Sequence, residues 1–197
     1  MEKSLAPPSA VRTGVWVGIG AITMSFAAYT SAMVVRQGSF PEWQHFKLPP
    51  ILYFNTLLII ASSATLELAR KRLGGPFDRL GRADALSPAA LRERLFWLRG
   101  TLALGLAFLV GQYLAWRGLS AEGVYLATSA SSSFFYVLTA VHAVHLFGGL
   151  GALLYSLYCL RVDDGPRPIT VLGAVALYWH FMAVLWVYLL VILSLWV

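Results

Sequence analysis

Residues 134–160 read FFYVLTAVHAVHLFGGLGALLYSLYCL, and no Asp, Glu, Lys or Arg interrupts them. As an α-helix this stretch would be about 40 Å long, more than the roughly 30 Å hydrocarbon core of a bilayer. Its apolar residues run continuously instead of alternating, which is typical of a helix and not of a barrel strand. The stretch therefore predicts a transmembrane helix.

The composition of the whole chain agrees with this prediction. Of the 197 residues, 58% are apolar and 12% are charged, and the mean hydropathy is +0.69. Soluble domains are nearer half apolar and a quarter charged, so the bilayer must be the solvent for most of this chain. The single cysteine, Cys159, excludes an intrachain disulfide and is best interpreted as a small apolar residue.

Five segments are long enough to span the membrane, which predicts an all-α, polytopic helix bundle that forms a single membrane domain over residues 1–197. The predicted helices cover about 14–36, 49–72, 93–117, 125–160 and 169–197, with a basic loop at 72–94. Gly123 and the serines at 129 and 131–133 indicate that the first part of the fourth helix is interfacial or packed against protein, so the core of the span is nearer 134–160.

The Lys and Arg residues predict the orientation. Each predicted helix crosses the membrane, so successive loops, and the basic residues in them, lie on alternating sides. One side holds three: Arg36, Lys47 and Arg117. The other holds twelve: Lys3, Arg12, Arg70, Lys71, Arg72, Arg79, Arg82, Arg92, Arg94, Arg99, Arg161 and Arg167. By the positive-inside rule the N-terminus is cytoplasmic and the C-terminus periplasmic. Because these charges lie at the ends of apolar segments, the net charge of +6 does not predict a nucleic-acid partner.

Polar side chains within the helices are the candidate functional groups. In the hydrocarbon region they are stable only when protein, water or a partner supplies their hydrogen bonds. Asn55 and Gln112 are interpreted as hydrogen-bonding groups between helices. Glu67 lies one turn before a basic cluster and is expected to reach towards it.

The histidines allow two interpretations. His142 and His145 are three residues apart on one helix, and His180 lies on another. Together they could bind a metal or ligate a haem, or they could hydrogen-bond between helices. No carboxylate partner is expected near them, which weighs against a metal site.

Glycines and tryptophans near the histidines predict close packing. Gly148 and Gly149 would allow two helices to approach, or would leave room for a lipid tail. Trp179 and Trp186 are seven residues apart and share one helix face, a pattern more typical of packing than of a cofactor site.

Four segments, in chain order, resemble subunit III of the haem-copper terminal oxidases, the group of cytochrome c and quinol oxidases. Residues 48–70 read LPPILYFNTLLIIASSATLELAR and are similar to the family pattern LP..L..NT.LLL.SS.T.E.A. Residues 132–154 read SSFFYVLTAVHAVHLFGGLGALL, and residues 176–186 read ALYWHFMAVLW, like the family's.LYWHFVDVVW. Residues 108–119, FLVGQYLAWRGL, resemble the third of five helices in bacterial members.

This resemblance implies a non-catalytic subunit in the bacterial inner membrane. Such a subunit packs on catalytic subunit I, with subunits II and IV in the same complex, and binds phospholipid. The haem and copper would belong to the catalytic partner, and this chain would hold no cofactor. The resemblance also implies that His142, His145 and His180 occupy family histidine positions inside the bundle and are not axial haem ligands.

Three positions depart from the family pattern. In five-helix members that pattern has acidic residues in the first, third and fifth helices. This chain has Ile22, Ala115 and Ala183 there, so a role of those carboxylates in proton handling is not expected. The loss keeps open an accessory subunit of nitric oxide reductase as an alternative function. A second alternative is a membrane haem b electron carrier that uses the three histidines.

Overall fold

The computed structural model describes residues 8–39, 43, 45–71, 88–162 and 167–196. They form five helices: α1 (Pro8–Ser39), α2 (Ile51–Lys71), α3 (Pro88–Ala121), α4 (Ala130–Val162) and α5 (Arg167–Trp196). There is no strand among these described residues. All five helices are long and apolar enough to cross a membrane, which confirms the predicted all-α fold with five membrane-spanning helices.

Two helices begin at least five residues earlier than the sequence pattern indicated. Helix α1 begins at Pro8 and helix α3 at Pro88, and proline suits the first turn of a helix because its missing N–H would have no partner there. Residues 88–94, predicted as the end of the basic loop, are therefore helical. The rest of that loop, 72–87, lies outside the described residues.

Helix α4 begins at Ala130 and not at 125, because a turn and a serine cap precede it. Gly123 has a φ of +82°, which glycine adopts without steric cost. The Ser129 Oγ accepts a hydrogen bond from the Ser132 N–H at 3.2 Å, and the Ser132 Oγ accepts one from the Ser129 N–H at 3.0 Å. This reciprocal pair satisfies N–H groups that the first helical turn leaves open.

The helices pack with α5 in contact with α1, α2 and α4, while α3 packs on α2 and α4. Hydrogen bonds fix the register of several pairs: Thr56 with Trp186 for α2 and α5, Ser62 with Thr101 for α2 and α3, and Thr30 with Tyr188 for α1 and α5. Helix α1 runs parallel to α5, since both are odd-numbered in an alternating bundle. Arg12, Arg70, Lys71 and the beginning of α5 therefore lie at one end, called here the basic end.

Candidate functional site

Trp179 lies at the meeting point of four helices. Its indole N–H donates a hydrogen bond to the Ser62 Oγ of α2 at 3.1 Å. Its ring lies against Gly105 of α3 and Gly149 of α4, where an added Cβ would come within 2.8 Å and 3.2 Å of ring atoms, respectively. The side chain is fully buried. Trp179 therefore packs in the interior, as predicted from its spacing.

Trp186 repeats this arrangement two turns further along α5. Its indole N–H donates to the Thr56 Oγ1 of α2 at 3.0 Å. Its ring meets Phe108 of α3 edge-on, with centroids 4.8 Å apart, and contacts His142 of α4 at 5.2 Å. The two tryptophans of α5 thus each contact α2, α3 and α4.

Glu67 forms an ion-pair cluster at the basic end. Its two carboxylate oxygens each accept a hydrogen bond from the Arg70 guanidinium at 2.8 Å, and Lys71 Nζ lies 3.9 Å away. This contact is the one expected for a carboxylate that reaches out of lipid towards a basic cluster. Arg72 lies outside the described residues.

The same carboxylate contacts a histidine, which the sequence did not reveal. Glu67 Oε2 lies 3.4 Å from His180 Nε2, and His180 Nδ1 is hydrogen-bonded to the Ser63 Oγ. The expectation that no carboxylate lies near the histidines is therefore wrong for His180. Ser63, Glu67 and His180 thus connect α2 to α5. The contact depends on the antiparallel packing of these two helices, so it cannot be read from either segment alone.

The other two histidines face different neighbours. His142 is fully buried between the rings of Phe108 and Trp186. The His145 Nδ1 is 2.8 Å from the carbonyl oxygen of Val141, and its ring lies 6.0 Å from that of Phe26 in α1. With His180 engaged by Ser63 and Glu67, the three imidazoles do not converge on one point, so the arrangement does not favour haem or metal ligation by this set.

Residues 8–39, 43, 45–71, 88–162 and 167–196 contain no cluster of three or more His, Cys, Asp or Glu that could hold an ion. Cys159 is a buried free thiol.

The buried amides do not make the hydrogen bonds expected between helices. Asn55 and Gln112 are 0% and 1% exposed, and neither side chain has a hydrogen-bond partner among the described residues. Asn55 lies instead against Gly111 of α3, where an added Cβ would be 2.0 Å from its Oδ1. Only glycine at position 111 allows this approach.

The two glycines of α4 have different environments. A Cβ on Gly149 would lie 3.1 Å from Tyr178 and 3.2 Å from Trp179, whereas a Cβ on Gly148 would meet nothing within 4 Å. Gly149 therefore allows α4 and α5 to pack, and Gly148 lies on an open face of the bundle.

The positions that depart from the acidic family pattern also lie at different depths. Ala115 and Ala183 are buried, at 1% and 6% exposure, and Ile22 packs partly against the core. A carboxylate at position 115 or 183 would be enclosed by apolar neighbours, which would be costly in free energy.

A groove at the basic end is a candidate binding site that the sequence did not indicate. It has a volume of about 760 Å³ and lies between α1, α2 and α5. Its polar lining residues are Arg12, Thr13, Arg70, Thr170 and His180. Trp16, Gly173, Ala174, Ala176 and Leu177 complete the lining. The sequence placed Arg12 only as a topology signal, because nothing local joins it to residues 70 and 180.

Comparisons with known proteins give relatives that match nearly the whole chain. It is 30% identical over 203 residues to "Probable cytochrome c oxidase subunit 3" of Mycobacterium tuberculosis, which covers 96% of this chain and 90% of that protein. It is 30% identical to "Cytochrome c oxidase subunit 3" of Corynebacterium diphtheriae, over 93% and 87% of the two chains. Identity to the Bacillus sp. PS3 protein of that name is 26%, over 92% and 84%. No protein-family model matches the chain.

Proposed function

Since the chain belongs to the cytochrome c oxidase subunit III family, we propose that it is the non-catalytic subunit III of a respiratory haem-copper oxidase. The complex would reduce oxygen to water and couple this reaction to proton pumping. Within it, this chain would pack on catalytic subunit I, with subunits II and IV present, and bind structural phospholipid. The observation that carries the proposal is the identity to subunit III proteins over 96% of the chain.

The interior of the bundle supports a companion role and not a redox role. Trp179 and Trp186 pack between α2, α3 and α4, and the three intramembrane histidines face separate neighbours. An axial haem ligand needs both a free imidazole nitrogen and a cavity that accommodates the macrocycle. The nitrogens of His142 make no hydrogen bond within the described residues, but its ring is enclosed by those of Phe108 and Trp186. We therefore assign the haem and copper to the catalytic partner.

The groove at the basic end supports phospholipid binding. Arg12 has no ion-pair partner among the described residues, and Arg70 keeps about half of its side chain exposed while it pairs with Glu67. Guanidinium groups bind phosphate oxygens through paired N–H donors. Trp16 lies one turn after Arg12 and is half exposed, as suits an indole at the level of lipid headgroups. An anionic phospholipid fits this combination of charge and apolar wall.

The orientation and location are part of the same proposal. The twelve-to-three division of Lys and Arg supports a cytoplasmic basic end in a bacterial inner membrane, where the groove would face the anionic inner leaflet. A cysteine introduced at Ser39, on the opposite end of α1, should react with a membrane-impermeant maleimide added to spheroplasts. Reaction only after the spheroplasts are lysed would show that Ser39 lies on the cytoplasmic side, which is the opposite orientation.

Affinity purification of the tagged chain in mild detergent tests the central proposal. We expect co-purification of a large subunit that gives haem absorbance and contains copper by elemental analysis. A partner with haem but no copper would support the nitric oxide reductase alternative. A Soret band that stays with this chain after every other polypeptide is removed would contradict the proposal and support the haem b carrier.

Lipid analysis of the purified complex tests the groove separately. The double variant Arg12→Gln/Arg70→Gln should lower the amount of tightly bound anionic phospholipid per complex. The matched control is Arg117→Gln, which removes an exposed arginine near the end of α3 that donates a hydrogen bond to the Tyr113 hydroxyl at 3.4 Å. Equal phospholipid content in the wild type, the double variant and the control would exclude anionic phospholipid binding at the groove. That outcome would not contradict the proposed assembly with a catalytic subunit.

A further inference from the structure

Three buried polar side chains from three different helices have no protein partner. They are Asn55 of α2, Gln112 of α3 and His142 of α4, each at most 1% exposed. Their side-chain nitrogen and oxygen atoms make no hydrogen bond within the described part of the chain. Buried polar groups in folded proteins are nearly always hydrogen-bonded to protein or to ordered water. Three buried polar side chains without a hydrogen-bond partner in one membrane-spanning bundle therefore indicate a bound ligand that supplies the missing hydrogen bonds.

Contacts across the helices place the three residues in one layer of the bundle. Asn55 lies against Gly111, the residue before Gln112. The ring of Phe108, one turn before Gln112, contacts His142. On the other side, Trp116, one turn after Gln112, donates a hydrogen bond to Thr139, three residues before His142. Gln112 therefore lies between two contacts that join α3 to α4.

Helix α5 closes this layer, and its Trp186 offers no hydrogen-bond partner. Trp186 of α5 contacts His142 through its ring, and its only N–H is already donated to the Thr56 Oγ1. Thr56 is the residue after Asn55, so Trp186 joins the α2 and α4 sides of the layer. Its neighbour Phe108 is purely apolar. Neither ring can accept or donate the hydrogen bonds that the two amides and the imidazole require.

We propose that Asn55, Gln112 and His142 form an internal hydration site, in which ordered water bridges α2, α3 and α4 inside the membrane. Water is the smallest ligand that both donates and accepts, as two amides and a neutral imidazole require. Water needs no charge compensation, whereas the described residues contain no group of three or more His, Cys, Asp or Glu that could hold a metal ion. This hydration site does not rest on the proposed function, because it follows from the packing of this chain alone.

Cryo-electron microscopy of the purified complex, at a resolution that shows water, tests the site directly. We expect water density within hydrogen-bond distance of at least two of the three side chains. Direct hydrogen bonds among the three side chains, or an empty apolar gap, would overturn the inference. Water-edited solid-state NMR on the unaltered protein gives a second readout: the side-chain amide signals of Asn55 and Gln112 should receive magnetisation from water, and their silence would count against the site.

A variant and its matched control test the role of the imidazole. His142→Phe keeps an aromatic ring beside Phe108 and Trp186 but removes both nitrogens, so the water at this position should be lost. His145→Phe, one turn away, removes an imidazole whose Nδ1 already contacts the carbonyl of Val141, and it should leave the water in place. Unchanged water in His142→Phe would overturn the three-residue site.

Discussion

The indole N–H of Trp179 donates a hydrogen bond to the Oγ of Ser62 at 3.1 Å, and the same Oγ donates to the carbonyl oxygen of Thr101 at 3.0 Å. One fully buried serine thus joins α5, α2 and α3. Hydrogen bonds between helices matter in a membrane because lipid offers no replacement partner. This contact explains why a hydroxyl stands at the centre of an apolar interior.

Replacing this serine should destabilise the bundle measurably. Ser62→Ala leaves the buried indole N–H without an acceptor, which we expect to cost about 1–3 kcal/mol. The apparent melting temperature in detergent, followed by fluorescence size-exclusion, should fall. The control Ser25→Ala removes an exposed hydroxyl that donates to the Ala21 carbonyl oxygen of its own helix, and it should change little. Equal melting temperatures for Ser62→Ala and the wild type would contradict the role given to this contact.

Gly105 should tolerate no side chain. A Cβ there would lie 2.8 Å from the Trp179 ring, and overpacking of this kind typically costs about 1–3 kcal/mol. Gly118→Ala on the same helix meets nothing within 4 Å and should be neutral or slightly stabilising, because alanine favours helix more than glycine does.

A double variant separates this clash from a simple helix effect. If the ring of Trp179 causes the loss, Gly105→Ala should cost less in a Trp179→Leu background than in the wild type. Additive changes in the free energy of unfolding would show that the two residues do not interact.

The adjacent glycines of α4 should respond differently to the same substitution. Gly149→Leu places a side chain against Tyr178 and Trp179 and should lower the melting temperature. Gly148→Leu extends from the open face and should leave the melting temperature of the isolated chain unchanged. The pair is its own control, and equal effects of both substitutions would contradict the assignment of the two faces.

Cys159 should report whether the bundle is folded. It is the only cysteine and is 4% exposed, so a water-soluble maleimide should label it slowly in the native protein and quickly after unfolding in dodecyl sulfate. A cysteine introduced at the exposed position Ser39 provides the control that labels in both states. Rapid labelling of native Cys159 would contradict the burial of this face of α4.

The position of Arg12 illustrates what a linear sequence conceals. As one basic residue before an apolar segment, it indicates only topology. The groove at the basic end arises because α1 packs parallel to α5 and places Arg12 and Trp16 beside Thr170 and His180. Glu67 shows the opposite case: its pairing with Arg70 is a contact at i, i+3, so helix geometry alone predicts it.

The sequence by itself determined that the chain forms five membrane-spanning helices. The length and continuity of an apolar segment are local properties, and such a segment crosses the hydrocarbon core as a helix. It also determined that Trp179 and Trp186 share a face, since seven residues are close to two turns. Only the tertiary structure decided which of Gly148 and Gly149 faces α5, that His142 and His145 have different neighbours, and that Glu67 meets His180. These depend on the rotation and register of each helix, which packing sets between segments far apart in the chain.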